Sequence, residues 1–438
     1  MNTHSALDSP RSKIHRALDA RLRPSYLRFL SVTVLVVVGV SICAMFATSK
    51  RGRTVFGPTL GADFAGFFVA AQILEHGDTT KLYDRDLHFR LYHELLPNLA
   101  ANDAIPYVHP PFVAEALRPL TRVPYEFAVA IWLAISALLY GSAVWMLTRS
   151  LTGIPREYRS LILMLALTFA PFIFECWLGG QLSAVGFFSF ALAWLALNRE
   201  RPVAAGMALG LCFYKPTLLL LVVPMLVVGR RWKILAGMTI TGISLVAVSV
   251  ASVGWDTSVG YLDVLVQFRA AVATAGGGLR TWKYIDLYTM ARSLFGTGFP
   301  VALVAFVCLS ALPVAWLARA WWRWPSMEAR QRQWLWAATL AWSPVVNVYV
   351  GVYDSILVVQ SALLAADLLF REHRSETPLL TSGLAYVALA IAASAWVSQY
   401  IARVSGVQVY TLALAGLGVF LLRRVQGTGA GKVGGRVE

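Results

Sequence analysis

Long apolar runs broken by short charged segments fill most of the chain. They fall at about 27–48, 127–148, 160–177, 182–198, 234–254, 300–318, 334–350, 355–370, 379–401 and 407–422. Crossing about 30 Å of hydrocarbon takes roughly 20 apolar residues. A segment in lipid must also satisfy its own backbone, which selects helices. Residues 202–229 differ, because Lys215 and Pro216 interrupt them near the middle. That stretch is either one kinked span or two short helices meeting at the Lys-Pro pair. The positive-inside rule favours the hairpin, which keeps most Lys and Arg on the cytoplasmic side. A single crossing would move the excess outside and strand Lys215 in the bilayer. Gly206 and Gly210 allow close helix packing in this hairpin.

The predicted architecture is therefore an all-α integral membrane protein, a multi-pass helical bundle of about 12 membrane helices with both termini cytoplasmic. Residues 1–26 form a basic cytoplasmic tail, 27–422 the transmembrane domain, and 423–438 a Gly-rich tail expected to be disordered. The first run is too long for a signal peptide and reads as a retained span. Two long loops lie outside the membrane, 49–126 and 254–299, and the first is expected to carry amphipathic helices. A Trp-rich corner at Trp316, Trp321, Trp322, Trp324, Trp334 and Trp336 reads as an interfacial belt.

Composition supports this class. Hydrophobic residues make up 58% and charged residues only 14%, with mean hydropathy +0.62, against about 25% charged in soluble domains. A water-soluble globule is excluded. The net charge of +15 is what basic helix ends contribute to topology, and nothing indicates nucleic acid. Cys43, Cys176, Cys212 and Cys308 sit in apolar runs without Cys-x-x-Cys spacing and read as small packing residues. Neither a metal nor a cofactor is expected.

Candidate chemistry gathers in the outer segments. In "GPTLGADFAGFFVAAQILEHG" the apolar residues after Asp63 recur at helical spacing and Gly77 ends the run. Asp63 thus stands at a helix N-terminus, where it is either a simple cap or an ionised carboxylate available as a base. "YVHPPF" offers His109, as a hydrogen-bonded loop residue or a substrate contact. "ECWLGGQLS" offers Gln181, and "YKPT" offers Lys215, as a phosphate-binding cation or a snorkelling anchor. The topology places all four on one face. In the second loop, Arg280, Lys283 and Arg292 follow Gly276, Gly277 and Gly278, which suggest a mobile segment. "SPVVNVYVGVYDSIL" adds Asn347, Tyr353 and Asp354, either a sugar-binding rim or, for Asp354, another cap. Asp84-Arg85-Asp86 has the Asp-x-Asp spacing of nucleotide-sugar enzymes but no strand and helix pattern around it.

The order of these features resembles glycosyltransferase family 87: Asp63-Phe64 on a loop helix, the "KLYD" turn at 81–84, the aromatic-Pro-Pro-Phe segment, Gly180-Gln181, and the Lys215-Pro216 tip. That family includes the bacterial polyprenol-phosphate-mannose-dependent mannosyltransferases. The likeness covers roughly residues 55–370 and is strongest from 60 to 220. It implies a C-type glycosyltransferase (GT-C) fold and a catalytic Asp63 above a membrane-facing cavity. It further implies a polyprenyl-phosphate-linked sugar donor and a glycolipid or glycan acceptor at the outer face of the cytoplasmic membrane. The "KYIDLYTMARSL" segment departs from the family's Gln-Ser-Leu pattern. Such a transfer needs a base for the acceptor hydroxyl and cations for the departing phosphate. Asp63 and Lys215 suit these roles, and a single base implies inversion. The competing expectation is a transporter or flippase for a lipid-linked or small polar solute; an inactive, scaffolding relative is a third.

Overall fold

The computed structural model describes residues 23–49, 54, 59–97, 106–274, 281–295, 299–372 and 383–430. Most of the basic N-terminal tail, Arg280, the Gly276 to Gly278 run and residues 431–438 lie outside them. The helices in chain order are α1 Pro24–Thr48, α2 Phe64–Glu75, α3 Arg85–Leu95, α4 Pro111–Leu117, α5 Tyr125–Ser150, α6 Arg159–Leu167, α7 Ser183–Asn198 and α8 Pro202–Gly210. There follow α9 Val222–Val228, α10 Trp232–Thr274, α11 Leu287–Phe295, α12 Phe299–Trp322, α13 Ala329–Trp342, α14 Leu357–Glu372, α15 Leu384–Ser405 and α16 Val409–Ala430. No strand forms among the described residues, although an isolated antiparallel bridge pairs Tyr284 with Gly351.

The chain is a multi-pass membrane protein. Among the described residues, seven helical segments are long and apolar enough to span a bilayer, and an eighth forms if the pair 156–167 and 171–177, bent by 47°, counts as one. The bend has a cause in the sequence: Pro171 cannot donate to the helical ladder, and a π-turn carries the chain from Pro171 to Trp177. Two expected boundaries move. The run at 334–350 stops being helical at Trp342, and α10 runs past its kink at Gly254 (φ 80°) to Thr274, through a stretch expected to be loop. The final helix likewise continues to Ala430, beyond the expected start of the tail.

The Lys-Pro stretch does reverse direction. A Cβ on Gly206 would stand 1.9 Å from the Ile234 carbonyl, and one on Gly237 2.1 Å from that of Val203. Thr241 Oγ1 also donates to the Met207 carbonyl at 3.0 Å. α8 and α10 therefore run side by side in the same sense, in backbone contact that only glycine permits, and the chain between them must turn back. It turns at Lys215 (φ −144°, ψ 83°).

Two further expectations are corrected. α2 is not an amphipathic surface helix, because nearly every residue from Phe64 to Leu74 is buried. A helix apolar on all sides belongs inside, and Phe64 stacks on Trp132 with ring centroids 5.7 Å apart. Nor is the Trp corner an interfacial belt. Trp321, Trp324, Trp334 and Trp336 are buried, Trp321 stacks on Trp324 at 4.6 Å, and Trp321 Nε1 donates to Thr339 Oγ1. Only Trp322 behaves as predicted, exposed beneath the Arg230 guanidinium at 4.1 Å. Near this corner the buried Asp367 carboxylate accepts from the Gly153 amide (2.6 Å) and Gln333 (2.9 Å) and pairs with Arg371 (2.7 Å).

Candidate active site

Asp63 enters α2 from two successive left-handed residues, Gly61 (φ 77°) and Ala62 (φ 42°). Its amide donates to the Gly179 carbonyl at 3.1 Å, and its side chain makes no cap hydrogen bond. Asp63 Oδ2 instead accepts a short hydrogen bond from Gln181 Nε2. The two loops meet because Gly180 (φ 68°) is in the left-handed region. A Cβ there would lie 2.2 Å from the Gly61 carbonyl and 2.8 Å from Phe64 Cβ. Trp132 Nε1 fixes the same turn by donating to the Gly180 carbonyl at 3.2 Å.

Lys215 is no snorkelling anchor. Its side chain is 17% exposed, and Nζ lies 2.5 Å from Asp354 Oδ2 and 4.3 Å from the centre of the Tyr353 ring. The other Asp354 oxygen accepts from Ser183 Oγ at 2.7 Å, so this buried carboxylate gathers α7, the hairpin tip and the turn Val352–Ile356. His109 links the two charged centres. Its ring meets Phe67 of α2 edge-on at 5.1 Å, and its Nδ1 lies 3.1 Å from the carbonyl of Tyr214, the residue before Lys215. Burial, reinforced by the Lys215 charge against the Tyr214 hydrogen bond, lowers the His109 pKa to about 4. The ring is thus neutral at pH 7. A carbonyl only accepts, so Nδ1 carries the proton and Nε2 presents a lone pair.

The second loop is stapled to the segment between α13 and α14. Ile285 N donates to the Val350 carbonyl at 2.9 Å beside the Tyr284–Gly351 bridge, and Leu287 N donates to the Val345 carbonyl at 2.9 Å. Asp286 receives the amides of Thr289 (2.7 Å) and Val350 (2.8 Å) and the Thr289 hydroxyl (3.0 Å). Burial nevertheless raises its pKa to about 6, against those hydrogen bonds. This arrangement sets Tyr284 within electrostatic reach of Tyr353, Lys215 and Asp63, and burial chiefly lifts its phenol above the ordinary range. Asp63 acts on Tyr353 as well, so the aromatic pair lies near both charged centres.

The remaining candidates divide. The buried Asn347 donates to the carbonyls of Thr217 (2.8 Å) and Ser343 (2.9 Å) and accepts from the Val348 amide, which makes it a clamp on the hairpin rather than part of a sugar-facing rim. Arg292 Nη1 donates to Tyr349 Oη at 2.5 Å. Lys283 is half-buried just before the bridge, and Arg280 lies outside the described residues. Asp84 caps α3, accepting the Asp86 and Leu87 amides at 3.0 Å each. Among the described residues, no group of three His, Cys, Asp or Glu is placed to hold a metal ion.

The sequence profile of glycosyltransferase family 87 matches residues 107–350, more than half of the chain. The chain belongs to glycosyltransferase family 87. This family 87 protein is accordingly a membrane glycosyltransferase, and the transport reading gains no support from that membership. His109, Gln181, Lys215 and Asn347 fall inside the matched stretch, while Asp63, Tyr353 and Asp354 flank it. No curated protein and no solved structure matches the chain.

Three contributors escaped the sequence reading. Ser183 closed the "ECWLGGQLS" segment without being assigned a role, although a hydroxyl opening an apolar helix is a legible signal. Asp286 carries the Asp-x-x-Thr spacing of a helix cap, with Thr289 three residues on. Tyr284 has no local signal, because its neighbours come from distant parts of the chain.

Proposed function

We propose that this glycosyltransferase moves a sugar from a polyprenyl-phosphate donor to an envelope glycolipid or glycan at the outer face of the cytoplasmic membrane. The transfer inverts the anomeric carbon and uses Asp63 as general base. Mannose, the sugar of the family's bacterial members, is the first donor to test. Asp63 Oδ1 takes the proton from the acceptor hydroxyl, and the hydroxyl oxygen attacks the anomeric carbon. The bond to phosphate breaks on the opposite side, and the electron pair leaves with the polyprenyl phosphate. Lys215 Nζ has three donors and gives one to Asp354. The others face the departing phosphate, where a fixed cation is most useful. Tyr353 receives the apolar face of the sugar, and His109 Nε2 accepts from one of its hydroxyls.

The supporting observation is that Asp63, at a helix N-terminus, does not cap that helix and is held by Gln181. Asp63→Asn is expected to fold and to bind labelled donor while transfer falls roughly 10²- to 10⁴-fold, the size of a general-base contribution. Undiminished transfer removes Asp63 from the role.

A further inference from the structure

A second feature lies at the other end of the bundle. α5 begins at Tyr125, whose hydroxyl donates to the Leu60 carbonyl near Asp63. It is 26 residues long and ends at Ser150, roughly 38 Å away at about 1.5 Å per residue. α7 likewise starts at Ser183 beside Asp354 and ends at Asn198. Between the far ends of these helices and α8 opens a cavity of about 760 Å³. Arg149, Arg199 and Arg201 line its mouth.

All three arginines are exposed, and among the described residues no ion pair engages any of them. The Arg149 guanidinium rests 4.5 Å over Trp145, itself 48% exposed, an aromatic and cation pairing suited to a membrane surface. Inward from the mouth the walls turn apolar. Small side chains at Ala196, Ala204 and Ala208 leave the space, and Leu211 lies ten residues beyond Arg201, roughly 15 Å deeper. The two lining hydroxyls, Ser150 and Thr241, donate to the Leu147 and Met207 carbonyls. That leaves the guanidinium groups as the main polar attraction.

We propose that this groove binds an anionic phospholipid, with its phosphate among Arg149, Arg199 and Arg201 and an acyl chain along α8 as far as Leu211. Free phosphate has no use for the apolar walls, and a zwitterionic headgroup gives up the charge match with three unpaired cations. A polyprenyl-phosphate donor is to be used at Asp63, on the opposite side. The inference is otherwise independent of Asp63 chemistry.

Native mass spectrometry of the full chain in mild detergent tests it, with phosphatidylglycerol titrated against phosphatidylcholine. One phosphatidylglycerol adduct is expected to persist where phosphatidylcholine is lost, and inorganic phosphate is not expected to displace it. Each of Arg149→Gln, Arg199→Gln and Arg201→Gln should weaken retention roughly fivefold, as expected for one basic residue near an anionic surface. These side chains are exposed, so the fold tolerates their exchange. Ala204→Leu, which fills the groove at constant charge, should abolish the adduct. Equal retention of the two lipids, indifference to all the substitutions, or preferential displacement by polyprenyl phosphate overturns the assignment.

Discussion

Lys215 and Asp354, 139 residues apart, close a 2.5 Å ion pair that joins the hairpin tip to the turn before α14. Asp354 is fully buried and Lys215 nearly so. Breaking such a pair leaves an uncompensated charge, which costs about 3–5 kcal/mol when both partners are buried. Lys215→Met or Asp354→Asn alone is therefore expected to lower the melting temperature in detergent markedly. The double variant Lys215→Met with Asp354→Leu should regain much of that stability while transfer stays lost, because only the wild type offers a cation to phosphate. Recovery of transfer in the double variant would show that the pair is purely structural.

On the proposed reading, Gln181 positions Asp63 through its side-chain hydrogen bond. Its hydrogen bond to a carboxylate is of the kind worth about 1.5–3 kcal/mol, so Gln181→Leu should reduce kcat roughly 10- to 100-fold. KM for the donor should change little and the fold should persist. Steady-state kinetics on labelled donor distinguish this from a general loss of binding, which would appear in KM.

Gly180 is expected to be intolerant. The left-handed conformation alone costs a non-glycine residue about 1–3 kcal/mol, and an added Cβ would overlap the Gly61 carbonyl. Gly180→Ala should therefore lower the melting temperature and also reduce transfer, because the displaced partner is the turn that leads into Asp63. A variant with normal melting and normal kcat would contradict the close approach.

Two groups give opposite pH dependence. His109 has a folded pKa of about 4, below its ordinary 6.5, so it contributes stability above pH 6.5 that is lost as pH falls towards 4. Asp286 has a raised pKa of about 6, so its contribution grows as pH falls from about 6 towards 3.8. Melting curves from pH 7 to 4 should show a smaller acid loss for His109→Gln than for the wild type. Asp286→Asn should lack the stabilising acid limb, an effect on the order of 3 kcal/mol.

The hairpin at Lys215 was legible because a charge amid apolar residues has few places to go. Its partner was not legible, since Asp354 lies 139 residues away in the turn before α14 and a local reading makes it a cap. The burial of α2 was obscured for a related reason. Phe64, Phe67 and Phe68 recur at helical spacing, but Ala65, Val69 and Ala70 cover the remaining faces and are buried too. Tryptophans in a core and at an interface look alike in sequence. At Trp324 the nearby Arg231 and Arg332, 5.3 and 5.6 Å from the ring, come with either setting. Asn347 has the composition of a sugar reader, and only its hydrogen-bond partners reveal a backbone clamp.

The bridge between Tyr284 and Gly351 makes the two segments behave like adjacent teeth of a zip, although α11, α12 and α13 intervene. Neighbouring residues in extended backbone point to opposite sides, so sliding either segment by a single position would exchange which side chains look inwards. Length variation between homologous chains should therefore collect in the turn joining α12 to α13, while residues 343–353 keep a fixed length.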